Sequence, residues 1–195
     1  MTWTVNLSNS QLNNLVSSSI ADGSYSYQEA LNLLSTVAVG GITLSEWNDL
    51  KTVYTNSASL FASDYVKAIT YNVIYENLAN GYWWGGAATQ LEVEALGNMS
   101  ATTTEKNAGR LIDKWFLGLD LPMPIVGGDT AKGLVSAATY DYAFAAGQLF
   151  VSGAAASDVN QGAAGTCYLV ASLGSIANIN PSIVNNSFID NGNGT

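Results

Sequence analysis

The sequence has no histidine, one cysteine, three prolines and six basic residues among 195, and each shortage excludes something. Without histidine the chain lacks the side chain that most often moves protons near neutral pH or completes a zinc site. A single cysteine, Cys167, cannot close an internal disulfide. The basic residues Lys51, Lys67, Lys106, Arg110, Lys114 and Lys132 are scattered and outnumbered by 15 acidic ones, for a net charge of −9. No basic stripe exists to neutralise phosphates, which argues against a nucleic-acid partner. Nor does any apolar run approach the roughly 20 residues that span a bilayer, so no membrane span is expected.

What is there is a globular composition with an unusual surface: 48% hydrophobic residues but only 11% charged. Solubility must come from Ser, Thr, Asn, Gln and Gly. The start, MTWTVNLSNSQ, has no basic segment followed by an apolar one, so no cleaved N-terminal signal is expected. Two locations remain open, the cytoplasm or a bacterial cell exterior reached by a non-classical or C-terminal export signal, and the lysine-poor composition favours the exterior. No cofactor motif is present. "GGDTAKG", residues 127–133, has the wrong glycine spacing for a P-loop and Gly after its lysine. No metal-ligand cluster and no calcium-loop pattern occur.

The first hundred or so residues predict helices separated by glycine stops. Ser10 is placed to cap a helix with Leu12, Leu15, Val16 and Ile20 at 3.6 periodicity, ending before Gly23. Ser26-Tyr-Gln-Glu29 and Thr43-Leu-Ser-Glu46 are capping boxes, in which a hydroxyl and a carboxylate three residues on satisfy each other's backbone donors. The second opens the longest helical stretch, carrying Trp47, Leu50, Val53 and Tyr54; a polar patch at 55–63 interrupts it, and the pattern resumes at Tyr65, Ile69, Val73 and Glu76 and ends at Gly81. A further helix is expected over Thr102–Leu117, with Gly118 as its stop. "LDLPMPIVGGD", residues 119–129, carries two prolines and is expected to be extended. A last small-residue helix is expected at about 130–146, and the first strand only at "LFVSG", residues 149–153. Glu92 and Glu94 are expected on a solvated loop or short helix.

Two stretches carry candidate sites. In "NGYWWGG", residues 80–86, Tyr82, Trp83 and Trp84 are candidate binding aromatics for sugar rings or a partner's apolar face, or else a plug for a helical core. "QGAAGTCYLVAS", residues 161–172, places Gln161 six residues before Cys167 at the start of an apolar helix on which Leu169, Leu173 and Ile176 share a face. A thiol at a helix N-terminus gains reactivity because unpaired N–H groups and the macrodipole favour the thiolate. Gly162 and Gly165 permit a tight turn there, and a glutamine at this distance can aim its amide at the oxygen of a tetrahedral intermediate. The alternative is an inert thiol in an Ala/Leu/Val-rich helix.

Residues 149–188 resemble the start of a calpain-type, papain-like cysteine peptidase domain. The resemblance rests on Leu149-Phe150, Asp158-Val159, Gln161-Gly162, Gly165, Cys167-Tyr168 and Asn180-Pro181. Thr166 stands where such domains usually carry Asp, and Tyr168 where they usually carry Trp. The resemblance implies that Cys167 is the nucleophile and Gln161 the oxyanion-hole donor, that a polypeptide is the substrate, and that the family's histidine and asparagine lie further downstream. "SFIDNGNGT" places Phe188 and Ile189 before a hairpin-turn signal whose second strand should follow, so the domain is expected to be incomplete here.

The expected fold class is mainly α: a helical bundle at 1–147, serving as pro-segment, targeting unit or assembly module, followed at 148–195 by the incomplete start of a papain-like α+β domain. The function implied is the N-terminal portion of a calpain-like endopeptidase, inactive alone. The alternative is a non-enzymatic surface or filament-forming protein with a vestigial calpain-like segment. In either case the helical part is the place for self-assembly or an assembly partner.

Overall fold

A computed structural model describes residues 5–86, 93–122, 125–126, 138–139, 142–143, 147–161 and 166–192. The chain is mainly helical and divides into two compact units, Met1–Ala143 and Phe144–Thr195.

Among its described residues the first unit holds five α-helices: α1 (Ser10–Ser19), α2 (Tyr27–Ala38), α3 (Leu44–Asn56), α4 (Asp64–Ile74) and α5 (Glu105–Trp115). Their starts follow from local hydrogen bonding. Both capping boxes form: Ser26 with Glu29 opens α2, and Thr43 with Glu46 opens α3. Ser63 and Thr104 cap α4 and α5; α4 stops at Ile74, short of the expected Gly81, because Tyr75 turns extended, and Leu78–Gly81 is a separate 3-10 turn. The cap of α1 is Asn9 rather than Ser10, because the Asn9 amide oxygen accepts the N–H groups of Gln11 and Leu12 at 2.8 and 3.4 Å and leaves Ser10 as the first helical residue. For the same reason α5 starts at Glu105, after the Thr104 cap, and not at Thr102.

Helix α2 packs against α1, α4 and α5, and α4 also against α3. Between them lie Val16, Ile20, Leu34, Val37, Leu50, Val73, Leu111 and Phe116, all nearly or fully buried. Loops are stitched to this core by backbone bonds. Tyr25 donates its N–H to Leu60 O over 2.7 Å and accepts from Ala62 over 3.0 Å. The N–H of Ile42 reaches Thr103 O at 2.8 Å. That last approach requires Gly41, whose φ is +89° and whose missing Cβ would lie 3.1 Å from Thr103 O. Asp49, buried on α3, accepts both the N–H and the hydroxyl of Ser8 in the segment before α1.

Two antiparallel pairs of two-residue strands complete this unit, β1 (Tyr82–Trp83) with β2 (Glu94–Ala95), and β3 (Ile125–Val126) with β4 (Ala138–Thr139). They correct three expectations. Strands do occur before residue 149. Glu94 lies in a strand, not a loop or helix. Residues 138–139 are strand where a small-residue helix was expected, because the alanine-rich propensity is overridden by pairing with Ile125–Val126. "GGDTAKG" and Glu92 lie outside the described residues, as does most of 130–146.

The second unit contains α6 (Cys167–Ile179) and α7 (Pro181–Asn185). Residues 149–153 form bends rather than the expected strand, and Phe188–Asp190 are also without strand structure. Among the described residues neither apolar stretch has a strand neighbour, and a lone strand leaves its backbone groups without partners. Asp190 instead accepts the N–H of Gly192 at 2.8 Å, a local Asx turn.

Candidate functional site

Cys167 is the first residue of α6, and its thiol is exposed. Thr166, the N-cap, gives no side-chain hydrogen bond to the helix; its carbonyl accepts from Leu169 and Val170 at 2.9 and 3.0 Å and so starts the helical ladder. At the other end Asn180 joins the two helices. Its N–H bonds Ile176 O at 2.8 Å and its carbonyl accepts from Ile183 at 3.1 Å, while Pro181 supplies the pre-set φ of a first helical position.

The buried face of α6 is made of small residues. Ala177 is 6% exposed, and a Cβ on Gly174 would meet Val159 at 3.8 Å. The expected common face of Leu169, Leu173 and Ile176 is therefore divided. Leu173 turns inward, whereas Leu169 and Ile176 are exposed, because the helix rests its Leu173-Gly174-Ala177 side on the 156–158 turn and α7. A cleft of about 390 Å³ runs along this side, lined by Leu149, Phe150, Val159, Leu173, Ala177 and Phe188 among others. Phe150 and Phe188 meet edge-on across it at 5.8 Å. The loop is fixed by Ala154 N–H to Asn185 Oδ1 and by Ala155 N–H to Asp158 Oδ2, each 2.8 Å.

Gln161 is exposed on the same unit, and Gly162–Gly165, which join it to Thr166, lie outside the described residues. Among the described residues no group of three or more His, Cys, Asp or Glu is placed to hold a metal ion, and no helix is long and apolar enough to cross a membrane. Comparison with protein-family models, curated proteins and solved structures gave no match to this chain.

The tryptophan segment belongs to the first unit and splits its roles. Trp83 is buried, the plug reading, while Tyr82 and Trp84 remain 61% and 41% exposed. Arg110 lies over the Trp83 ring at 5.2 Å and grips Glu94 with two hydrogen bonds of 2.6 and 2.8 Å. Those bonds, joined by one from Lys106, hold the Glu94 carboxyl down at about 2. Sequence reasoning missed Asn80, whose fully buried amide donates to Asn72 O and Asn98 Oδ1 and accepts from the Trp115 indole. The only signal was an asparagine directly before the glycine-flanked aromatics.

Proposed function

We propose that the chain is the N-terminal portion of a calpain-like cysteine endopeptidase, with Cys167 as nucleophile and Gln161 as oxyanion donor toward a polypeptide substrate. The observation that carries this reading is the seating of Cys167, an exposed thiol on the first residue of a thirteen-residue helix, directly behind the Gln-Gly-x-x-Gly-x-Cys run. In such a peptidase the sulfur, as thiolate, bonds to the scissile carbonyl carbon, and the carbonyl oxygen becomes an oxyanion that accepts hydrogen bonds from the Gln161 amide and the Cys167 backbone N–H. The carbon–nitrogen bond then breaks as the amine takes a proton, leaving a thioester on the sulfur that water hydrolyses to the carboxylic acid and the free thiol. That proton needs a general acid such as an imidazolium, and these 195 residues contain no histidine. They therefore bind no complete catalytic set, and the histidine and asparagine of the family would be supplied by a further segment. The helical unit serves as pro-segment, targeting unit or assembly module, with the cell exterior as its location.

The test is reactivity without turnover. At neutral pH iodoacetamide should alkylate Cys167 of the folded chain faster than a cysteine in an unfolded peptide, while peptide substrates remain intact. Alkylation slower than the peptide's would support an inert thiol in a non-enzymatic surface protein. Hydrolysis that disappears in Cys167→Ala would show that another residue of this chain supplies the proton, and would overturn the need for a further segment.

A further inference from the structure

The aromatic segment that the peptidase reading leaves unused is built as a rigid platform. Burial alternates along it: Tyr82 out, Trp83 in, Trp84 out. The exposed rings are thus carried by the two residues flanking Trp83, whose Cα atoms lie about 6–7 Å apart at strand rise. Across the ladder from Tyr82 stands Ala95, whose methyl group is too small to cover a phenol ring.

The frame beneath these rings is held at three points. Trp83 is fixed in the core under Arg110. The backbone N–H groups of Trp84 and Gly85 both donate to Asp120 Oδ1, at 2.5 and 3.0 Å. Asp120 itself is 4% exposed and paired with Lys114. Gly86, at φ +69°, brings in a third ring, since a Cβ there would lie 2.8 Å from Leu121 Cβ and 3.5 Å from the Tyr142 ring. Tyr142 is 47% exposed.

We propose that Tyr82, Trp84 and Tyr142 form a stacking platform for the sugar rings of a neutral glycan. Three features select this ligand class. The rings are large apolar faces with polar tips, which suits a ligand with an apolar face and a hydroxyl edge. The charges beside the segment are paired, Lys114 with Asp120, and Arg110 and Lys106 with Glu94 across the ladder from Trp83, which gives neither an anionic nor a cationic ligand a ready counter-charge. The patch is small, three rings against the roughly 800 Å² per partner of a stable protein interface. Because the loop is already fixed by buried partners, binding costs little ordering entropy.

Isothermal titration calorimetry of the full chain against cellohexaose, chitohexaose and mannohexaose tests the proposal, with polygalacturonate as the charged control. Saturable binding of at least one neutral hexasaccharide is expected, weakened about tenfold by Trp84→Ala and by Tyr82→Ala, the loss of one stacked ring. Trp84→Phe should retain most of it. Tyr71→Ala, which removes an exposed ring on α4, should change nothing. Should Trp84→Ala lower the thermal midpoint, Tyr82→Ala and Tyr142→Ala decide the matter. No binding by any neutral probe, equal binding by the wild type and all three alanine variants, or binding of polygalacturonate alone would overturn it. So would self-association abolished by Trp84→Ala in a chain that binds no sugar, since the platform would then be a protein contact.

Discussion

Trp115 donates its indole N–H to the side-chain oxygen of Asn80 over 2.7 Å, across 35 positions of sequence. The Asn80 amide nitrogen continues to Asn72 O and Asn98 Oδ1, at 2.8 and 3.0 Å. One buried amide, in the turn before β1, thus ties together the end of α4, the end of α5 and the loop after β2. Asn80→Ala should cost about 1–3 kcal/mol in urea unfolding, because an indole donor loses its acceptor inside the protein. Asn80→Asp, which keeps an acceptor for Trp115, should be rescued in part at low pH, where the new carboxyl is neutral. Equal midpoints for Asn80→Ala and the wild type would show that water replaces the amide.

The buried core lies between Leu7 and Phe116, whereas among the described residues of the second unit Ala177 alone is a buried apolar side chain. Residues 1–143 made alone should therefore unfold cooperatively with nearly the midpoint of the whole chain. Residues 144–195 alone should show no sharp transition, since a segment this small without a core, disulfide or metal does not offset its chain entropy. Leu111→Ala in the first unit should cost about 2–5 kcal/mol, against about 0.5 kcal/mol or less for the exposed Ile179→Ala. A loss of cooperativity in 1–143 would contradict this division.

Glu94 carries a pH dependence with a defined sign. Its carboxyl sits at about 2 against an ordinary 4.5, held first by the hydrogen bonds from Arg110 and then by that from Lys106. A lowered carboxylate stabilises the fold above its unfolded value and loses that contribution as pH falls through its folded one. Stability should thus fall between about pH 4.5 and pH 2, and Glu94→Gln should flatten that part of the profile. Because Glu94 is 45% exposed, salt should shrink the difference. An unchanged slope in Glu94→Gln would assign the acid sensitivity to other carboxyls.

Adjacent glycines should respond unequally to alanine. Gly40 has φ +81° and open space where a Cβ would go; Gly41 has φ +89° and Thr103 O at 3.1 Å. Gly40→Ala should cost about 1–2 kcal/mol, the strain of left-handed backbone alone, and Gly41→Ala more, because a backbone oxygen must also move. Urea midpoints in the reverse order would refute the close approach of these loops.

What was legible in the sequence is what local chemistry decides. Ser26 with Glu29 and Thr43 with Glu46 mark helix starts because the capping box needs only three residues of spacing. The 3.6-residue periodicity picked out Leu12, Val16 and Ile20 at α1 and Ile69 and Val73 on α4, all buried, together with Leu15 and Tyr65, which only lean on the core. Contacts set by distant partners were not legible. Two-residue strands such as Tyr82–Trp83 are too short for alternation to register, and Ala138–Thr139 looks helical until Ile125–Val126 lies beside it. The inward side of α6 was misjudged because Leu169 and Ile176 are apolar, whereas the neighbouring turn and α7 meet Gly174 and Ala177. For the candidate site, the start of α6 at Cys167 could be read from composition. The path from Gln161 could not, since Gly162 and Gly165 permit many backbone conformations.

The Lys114–Asp120 pair has a chemical consequence beyond holding a loop. Lys106, 65% exposed, should be acylated readily by amine-reactive esters, whereas Lys114, 13% exposed and engaged by a buried carboxylate, should be slow. For the Lys114 amine to leave, the carboxylate that also receives the N–H groups of Trp84 and Gly85 must give up its cation. The acylation rate of that one lysine therefore reports how often the carboxylate that holds the aromatic loop lets its cation go, readable by mass spectrometry without a label on any ring.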